Sequence, residues 1–170
     1  MADDKRRSNS PLSAIVITVS DRSSRGERPD KSGPRAVDLL SEAGYEVGPA
    51  RIVPDGVASV SGAIRAAIGS GARVVITSGG TGVGPADLTP EGTRPLLSRE
   101  LPGIAEAFRR EGAQHSKMAV LSRGLAGIAG EPPHTLIVNL PGSVGAVEQG
   151  LAVLLPLVPH IIDQLDGGDH

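Results

Sequence analysis

The stretch 72-ARVVITSGGTGVGPADLTPEG-92 decides how the chain is read. Residues 72–78 are an apolar, β-branched run of strand length, which suits a strand covered on both faces. Bare backbone follows: five glycines and two prolines lie in the fifteen residues from Ser78 to Gly92. Pro90 then suits the first position of a helix, which makes Thr89 its N-cap. Strand, glycine loop and helix start, in that order, form one βα unit.

The same alternation extends in both directions. Residues 12–19 read as a buried strand, and 35–44 as a helix closed by Gly44. Residues 45–53 read as a second strand, Asp55-Gly56 as a turn, and 57–71 as a second helix. Beyond the glycine loop, 90–100 and 102–113 read as two short helices, 118–121 as a short strand and 134–140 as a buried strand. Pro141, Gly142 and Ser143 then open a long helix over 144–165, kinked or broken by Pro156 and Pro159. Strands alternating with helices predict an α/β fold with a largely parallel sheet. Residues 12–166 form a single domain in this reading, between a disordered lead-in over 1–11 and a flexible tail over 167–170.

Composition narrows the class. The chain has 170 residues, enough to bury a real core, and only one Tyr and one Phe, so that core must be aliphatic. A net charge of -2 does not suit a nucleic-acid partner, which calls for a strongly basic face. The absence of cysteine excludes disulfides, thiolate chemistry and Cys-type zinc sites. No apolar run reaches the ~18 residues of a membrane span. No apolar stretch follows Lys5, Arg6 and Arg7 as in a signal peptide, so the expected location is the cytoplasm.

In such sheets ligands sit beyond the carboxyl ends of the strands, where four loops would meet: 20–34, 54–56, 79–89 and 141–143. Glycines in 79-GGTGVG-84 let main-chain N–H groups approach an anion, although a tight turn accounts for them equally well. No G-K-[ST] follows and the G-x-G-x-x-G spacing is not met, so neither familiar nucleotide loop is present. With Thr89 as the cap, Asp87 is not needed for capping and could face the glycine loop; an Asx-turn is the plainer alternative. Asp55 sits at another strand end, in 53-VPDG-56, where it could cap the next helix or pair with Asp87 around Mg²⁺. Gly142 and Ser143 open a helix whose free N–H groups suit phosphate, or are simply capped by Ser143. Arg22, Arg25, Lys31 and Arg35 in the first loop, with Lys117 and Arg123, are available cations, each also readable as a solvated charge. Ser122 has no evident base partner, so a serine nucleophile is not supported. The four histidines show no metal-ligand spacing.

Taken together, 20-SDR-22, 30-DKSGP-34, 53-VPD-55, 77-TSGGTG-82, 87-DLTPE-91, 102-PG-103, 121-LSRGLAG-127 and 138-VNLPGS-143 resemble the molybdopterin-binding Mog/MoaB family, which includes the gephyrin G domain. The resemblance runs in order from about residue 13 to residue 166. It implies a three-layer α/β/α sandwich, the molybdopterin-binding fold, as a homotrimer in molybdenum cofactor synthesis beside other enzymes of that pathway. It also implies adenylylation of molybdopterin by Mg-ATP with release of pyrophosphate; a non-catalytic molybdopterin carrier of the MoaB kind is the alternative. Asp55 and Asp87 match the family's essential aspartates. Ser78, Gly79, Gly80, Thr81, Gly82 and Pro141, Gly142, Ser143 match its pterin and phosphate contacts, with Arg22, Lys117, Ser122 and Arg123 as further candidates. Ala86 stands where many members have Arg.

Overall fold

The structure, a computed structural model, describes residues 10–168. The expectations for residues 1–9 and 169–170 lie outside the described residues.

Three apolar runs build the centre of a seven-stranded sheet: β1 (Ser13–Val19), β4 (Val74–Ser78) and β7 (Thr135–Leu140). They lie side by side and parallel in the order β1-β4-β7. Two short strands, β2 (Glu46–Val47) and β3 (Arg51–Val53), both pair in parallel with β1. The other edge departs from the parallel pattern. β6 (Ala126–Ala129) runs antiparallel to β7, and β5 (Leu97–Glu100) antiparallel to β6.

Successive side chains of a strand point to opposite faces, so each central strand feeds two cores. Val16, Val74, Ile76, Leu136, Val138 and Leu140 face one core. They pack there against α2 (Ser32–Glu42), α5 (Pro102–Ala113), α6 (Val144–Leu154) and α7 (Val158–Leu165). Ile17, Val19, Val75 and Ile137 face the other, where Val60, Ile64 and Ala67 of α3 (Val57–Gly69) cover them. The result is the three-layer sandwich implied by the family resemblance. Two further helices are short, α1 (Asp21–Ser24) and α4 (Thr89–Thr93).

Several elements differ from the sequence expectation. Residues 118–121, read as a strand, lie in a 3₁₀ turn, Lys117–Leu121, whose Met118, Val120 and Leu121 are exposed. Leu97–Glu100, read as the end of a helix, is β5: α4 stops at Thr93, a 3₁₀ turn over Arg94–Leu96 that contains Pro95 follows, and β6 offers a partner. β6 itself was not anticipated. The long C-terminal helix is two helices bent by 55°, with Pro156 in the break and Pro159 in the first turn of α7. No single helix among the described residues is long and apolar enough to cross a membrane. The bent pair α6–α7 is so by length and composition, but its Val147, Leu151, Leu154 and Val158 are fully buried in the core.

Candidate active site

The carboxyl ends of the central strands are level. Val19 is in register with Val53, Thr18 with Ser78, and Ser78 with Leu140. The four loops that leave these ends therefore meet along one edge. Because β6 is antiparallel, the chain enters it at this same edge, and that brings Ser122 and Arg123 alongside the glycine loop. Together these segments line a cavity of about 920 Å³, walled on its far side by α5 and the 3₁₀ turn.

The glycine loop is held from behind. Gly79 N–H donates to Leu140 O at 2.9 Å, joining the ends of β4 and β7. The next four carbonyls are all taken up by the protein. Gly79 O accepts from Thr89 Oγ1 at 2.8 Å, and Gly80 O from Thr89 N at 3.0 Å. Thr81 O accepts from Arg123 N at 2.8 Å, and Gly82 O from Arg123 Nε at 2.8 Å. A planar trans peptide points its N–H opposite its carbonyl. The N–H groups of Gly80, Thr81, Gly82 and Val83 therefore turn away from Thr89 and Arg123. None of them has a hydrogen-bond acceptor among the described residues. Consecutive free N–H groups can bind an anion, and Gly80, Thr81 and Gly82 line the cavity, with the exposed Val83 just outside its lining. Gly79 holds the entry to this loop at φ 108°, with Val19 O only 2.3 Å from where a Cβ would sit.

Thr89 is not the cap expected of it. Leu88 occupies the N-cap position, and the buried Thr89 side chain serves the glycine loop instead. The grounds for leaving Asp87 free thus change. Asp87 Oδ2 accepts from Gly84 N at 3.0 Å, and Asp87 N donates to Gly84 O at 3.1 Å, so the carboxylate is part of a local turn. It still faces the cavity, with Oδ2 2.9 Å from where a Cβ on Gly82 would be.

Asp55 is fixed by a residue that sequence reasoning passed over. Asp21 N donates to Asp55 Oδ2 at 2.8 Å, and Asp55 N donates to Asp21 Oδ1 at 3.0 Å. Asp55 Oδ1 is left beside Gly80, 3.3 Å from where its Cβ would lie. Asp55 thus rests against Gly80, and Asp87 against Gly82 and Gly84. No group of three or more His, Asp or Glu among the described residues could cage a metal. Mg²⁺ commonly takes one or two carboxylates and completes its shell with water and substrate phosphate. The donor set of Asp55 and Asp87 fits that habit.

Other candidates divide. Ser78 is buried, with its hydroxyl in hydrogen-bond contact with Ser32 Oγ at 2.9 Å and Pro141 O at 3.3 Å. Asp30, also unanticipated, accepts from Thr18 Oγ1 at 2.6 Å and from Gly33 N at 3.0 Å, so α2 starts three residues before the expected position. Gly142 presses on Gly79, and Ser143 Oγ caps α6 by accepting from Ala146 N at 3.1 Å. Pro141, Gly142, Ser143 and Ser122 line the cavity, whereas Arg22 and Lys117 do not. Arg28, Lys31 and Arg109 do; of these only Lys31 belonged to a quoted motif, 30-DKSGP-34. Arg123 also lies outside the lining; its guanidinium is paired with Glu91, whose carboxyl it holds below the usual glutamate range.

Residues 15–160 match the family described as "Probable molybdopterin binding domain". The chain belongs to this molybdopterin-binding family. Among its relatives is a molybdopterin adenylyltransferase of Pyrococcus furiosus, 44% identical over 149 residues, covering 86% of this chain and 87% of the relative. A molybdenum cofactor biosynthesis bifunctional protein of Synechococcus elongatus is 40% identical over 157 residues, 92% of this chain. The chain spans only 48% of that longer protein. A molybdopterin biosynthesis protein from Mycobacterium abscessus has the same fold, with a TM-score of 0.85 and 45% identity, covering 91% of this chain and 96% of the other.

Proposed function

We propose that the chain transfers the adenylyl group of Mg-ATP to molybdopterin and releases pyrophosphate. The observation that carries this reading is the glycine loop, with four carbonyls tied back, four consecutive N–H groups left over, and the Asp55 and Asp87 carboxylates beside its glycines. A relative named molybdopterin adenylyltransferase supports the same reading. In the reaction an oxygen of the molybdopterin phosphate attacks the α-phosphorus of ATP in line. One P–O bond forms, the bond from the α-phosphorus to the bridging oxygen breaks, and pyrophosphate departs with the electron pair.

Two polyanions must be brought together, so the work of the protein is positioning and charge neutralisation. The N–H groups of Gly80 to Val83 bind one phosphate cluster, and the α6 start at Gly142 and Ser143 receives the pterin ligand's other end. Asp55 and Asp87 hold Mg²⁺, which when bound neutralises phosphate charge. Asp21 keeps Asp55 in place through their paired hydrogen bonds. On the family resemblance we also take the protein to be a cytoplasmic homotrimer.

The test is incubation with molybdopterin and Mg-ATP. Adenylyl-molybdopterin and an equal amount of pyrophosphate are expected. Molybdopterin that is bound but recovered unmodified, with no pyrophosphate, sinks the reaction and leaves a carrier.

A further inference from the structure

We infer that Arg123 is a positioning residue that shapes the glycine loop from behind and never touches the bound anion. This inference rests on the reading of Gly80 to Val83 as an anion cradle. A loop arginine beside phosphate-binding glycines would ordinarily be read as a phosphate ligand, and its surroundings argue otherwise.

Every strong contact of Arg123 runs to the back of the loop or to its counter-ion. Its backbone N–H holds Thr81 O, and Nε holds Gly82 O, both at 2.8 Å. Nη2 holds Asp87 O at 2.6 Å, and Nη1 holds Glu91 Oε1. One planar guanidinium therefore grips carbonyls five positions apart and closes residues 82–87 into a ring. Within that ring Gly84 N–H holds the Asp87 carboxylate. Gly82 and Gly84 have to be small there, since Asp87 Oδ2 lies 2.9 and 2.7 Å from where their Cβ atoms would be. The charge of Arg123 is already matched by Glu91, and the residue is absent from the cavity lining. The rigid fork is what this task requires. Lysine carries the same charge as a single flexible point and cannot hold two carbonyls in plane. Arg123 thereby sets two things together: the direction of the cradle N–H groups and the placement of Asp87.

Binding of inorganic pyrophosphate, titrated calorimetrically over a series of salt concentrations, tests the inference without requiring turnover. Arg123→Ala and Arg123→Lys are compared with the unaltered protein, with circular dichroism as the check on folding. A cation that touches the anion contributes to the salt dependence of binding; a neutralised residue behind the loop does not. Both variants are expected to bind pyrophosphate about tenfold more weakly at every salt concentration, with the salt slope unchanged, the scale of losing charge-assisted hydrogen bonds. A flattened slope would mean direct contact with the anion and would overturn the inference. So would unaltered affinity in either variant. If Arg123→Ala fails to fold, Arg123→Gln, which removes the charge but keeps a side-chain amide donor, carries the test on the same two readouts. Failure of the unaltered protein to bind pyrophosphate removes the cradle and this inference with it. Pyrophosphate binding with these variant effects, but no adenylyl-molybdopterin, leaves the inference standing and sinks only the reaction.

Discussion

The cavity has two unlike walls. Along the strand ends, Gly79 to Gly82 give up every carbonyl to Thr89 or Arg123, and Ser78, Thr81, Thr89 and Asn139 are all buried with hydrogen-bond partners. Across the cavity, the 3₁₀ turn after α5 leaves Met118 64% and Leu121 48% exposed, and the side chain of His115, just past the end of α5, is bonded among the described residues only to Glu111. The first wall is a fixed template, the arrangement that electrostatic catalysis needs because its dipoles pay no reorganisation when charge moves. The second has few bonds to break and can adjust to what enters, as weakly tied segments do. Substitutions should therefore cost most on the first wall and least on the second.

Gly79→Ala is the harshest break of the template. Alanine is strained at φ 108°, and its Cβ would lie 2.3 Å from Val19 O, a backbone atom at the carboxyl end of β1. A loss on the order of 3 kcal/mol or more is expected, visible as a lowered urea midpoint. Unchanged unfolding would show that β1 and β4 can part at their ends, and the template view would fall.

Asp87→Asn separates chemistry from scaffold. Asparagine keeps a side-chain oxygen to accept the Gly84 N–H, so the turn and the melting temperature should persist. Adenylyl transfer should drop by roughly 10²–10³, the scale for loss of a preorganised electrostatic group. Pyrophosphate release at the normal rate would remove Asp87 from the mechanism.

Asn139→Ala loosens the template from beneath. Its amide donates to Thr77 Oγ1 at 2.9 Å and Thr93 Oγ1 at 3.1 Å, and its oxygen accepts from Leu125 N at 3.1 Å, so it ties β4, α4 and the entry to β6 together. Leaving these buried groups unpaired should cost about 2 kcal/mol, measured by thermal unfolding. A cost near zero would mean that the strand-end wall is not held by its polar network.

How far the sequence could be read follows the same division. β1, β4 and β7 were legible because a β-branched run buried on both faces looks the same wherever it occurs. That Asp55, Asp87 and the glycine loop meet at one edge was legible because their motifs fall at those strand ends. The antiparallel edge was not. β6 is 126-AGIA-129, four small or single-branched residues that become a strand only between two partners. The run 118-MAVL-121 has strand-like composition but no neighbour to pair with. Missing β6 also hid why 121-LSRG-124 returns to the site, and so Arg123 read as a ligand contact when its bonds run behind the loop. Asp21 was overlooked for another reason: its pairing with Asp55 runs through backbone N–H groups and leaves no mark in residue spacing.

Met118→Ser probes the adaptable wall and should have the smallest effect. The side chain is 64% exposed yet lines the cavity, so the folded state loses little when it is shortened. Stability should shift by less than about 0.5 kcal/mol, as at other surface positions. Molybdopterin affinity should fall only about fourfold, the equivalent of one buried methylene at ~0.8 kcal/mol. A flexible thioether suits a surface that closes on its ligand instead of preceding it. If Met118→Ser lowered the unfolding free energy by more than about 1 kcal/mol, this turn would be part of the rigid scaffold, beyond what a surface position accounts for. The two walls would then differ in polarity alone and not in rigidity.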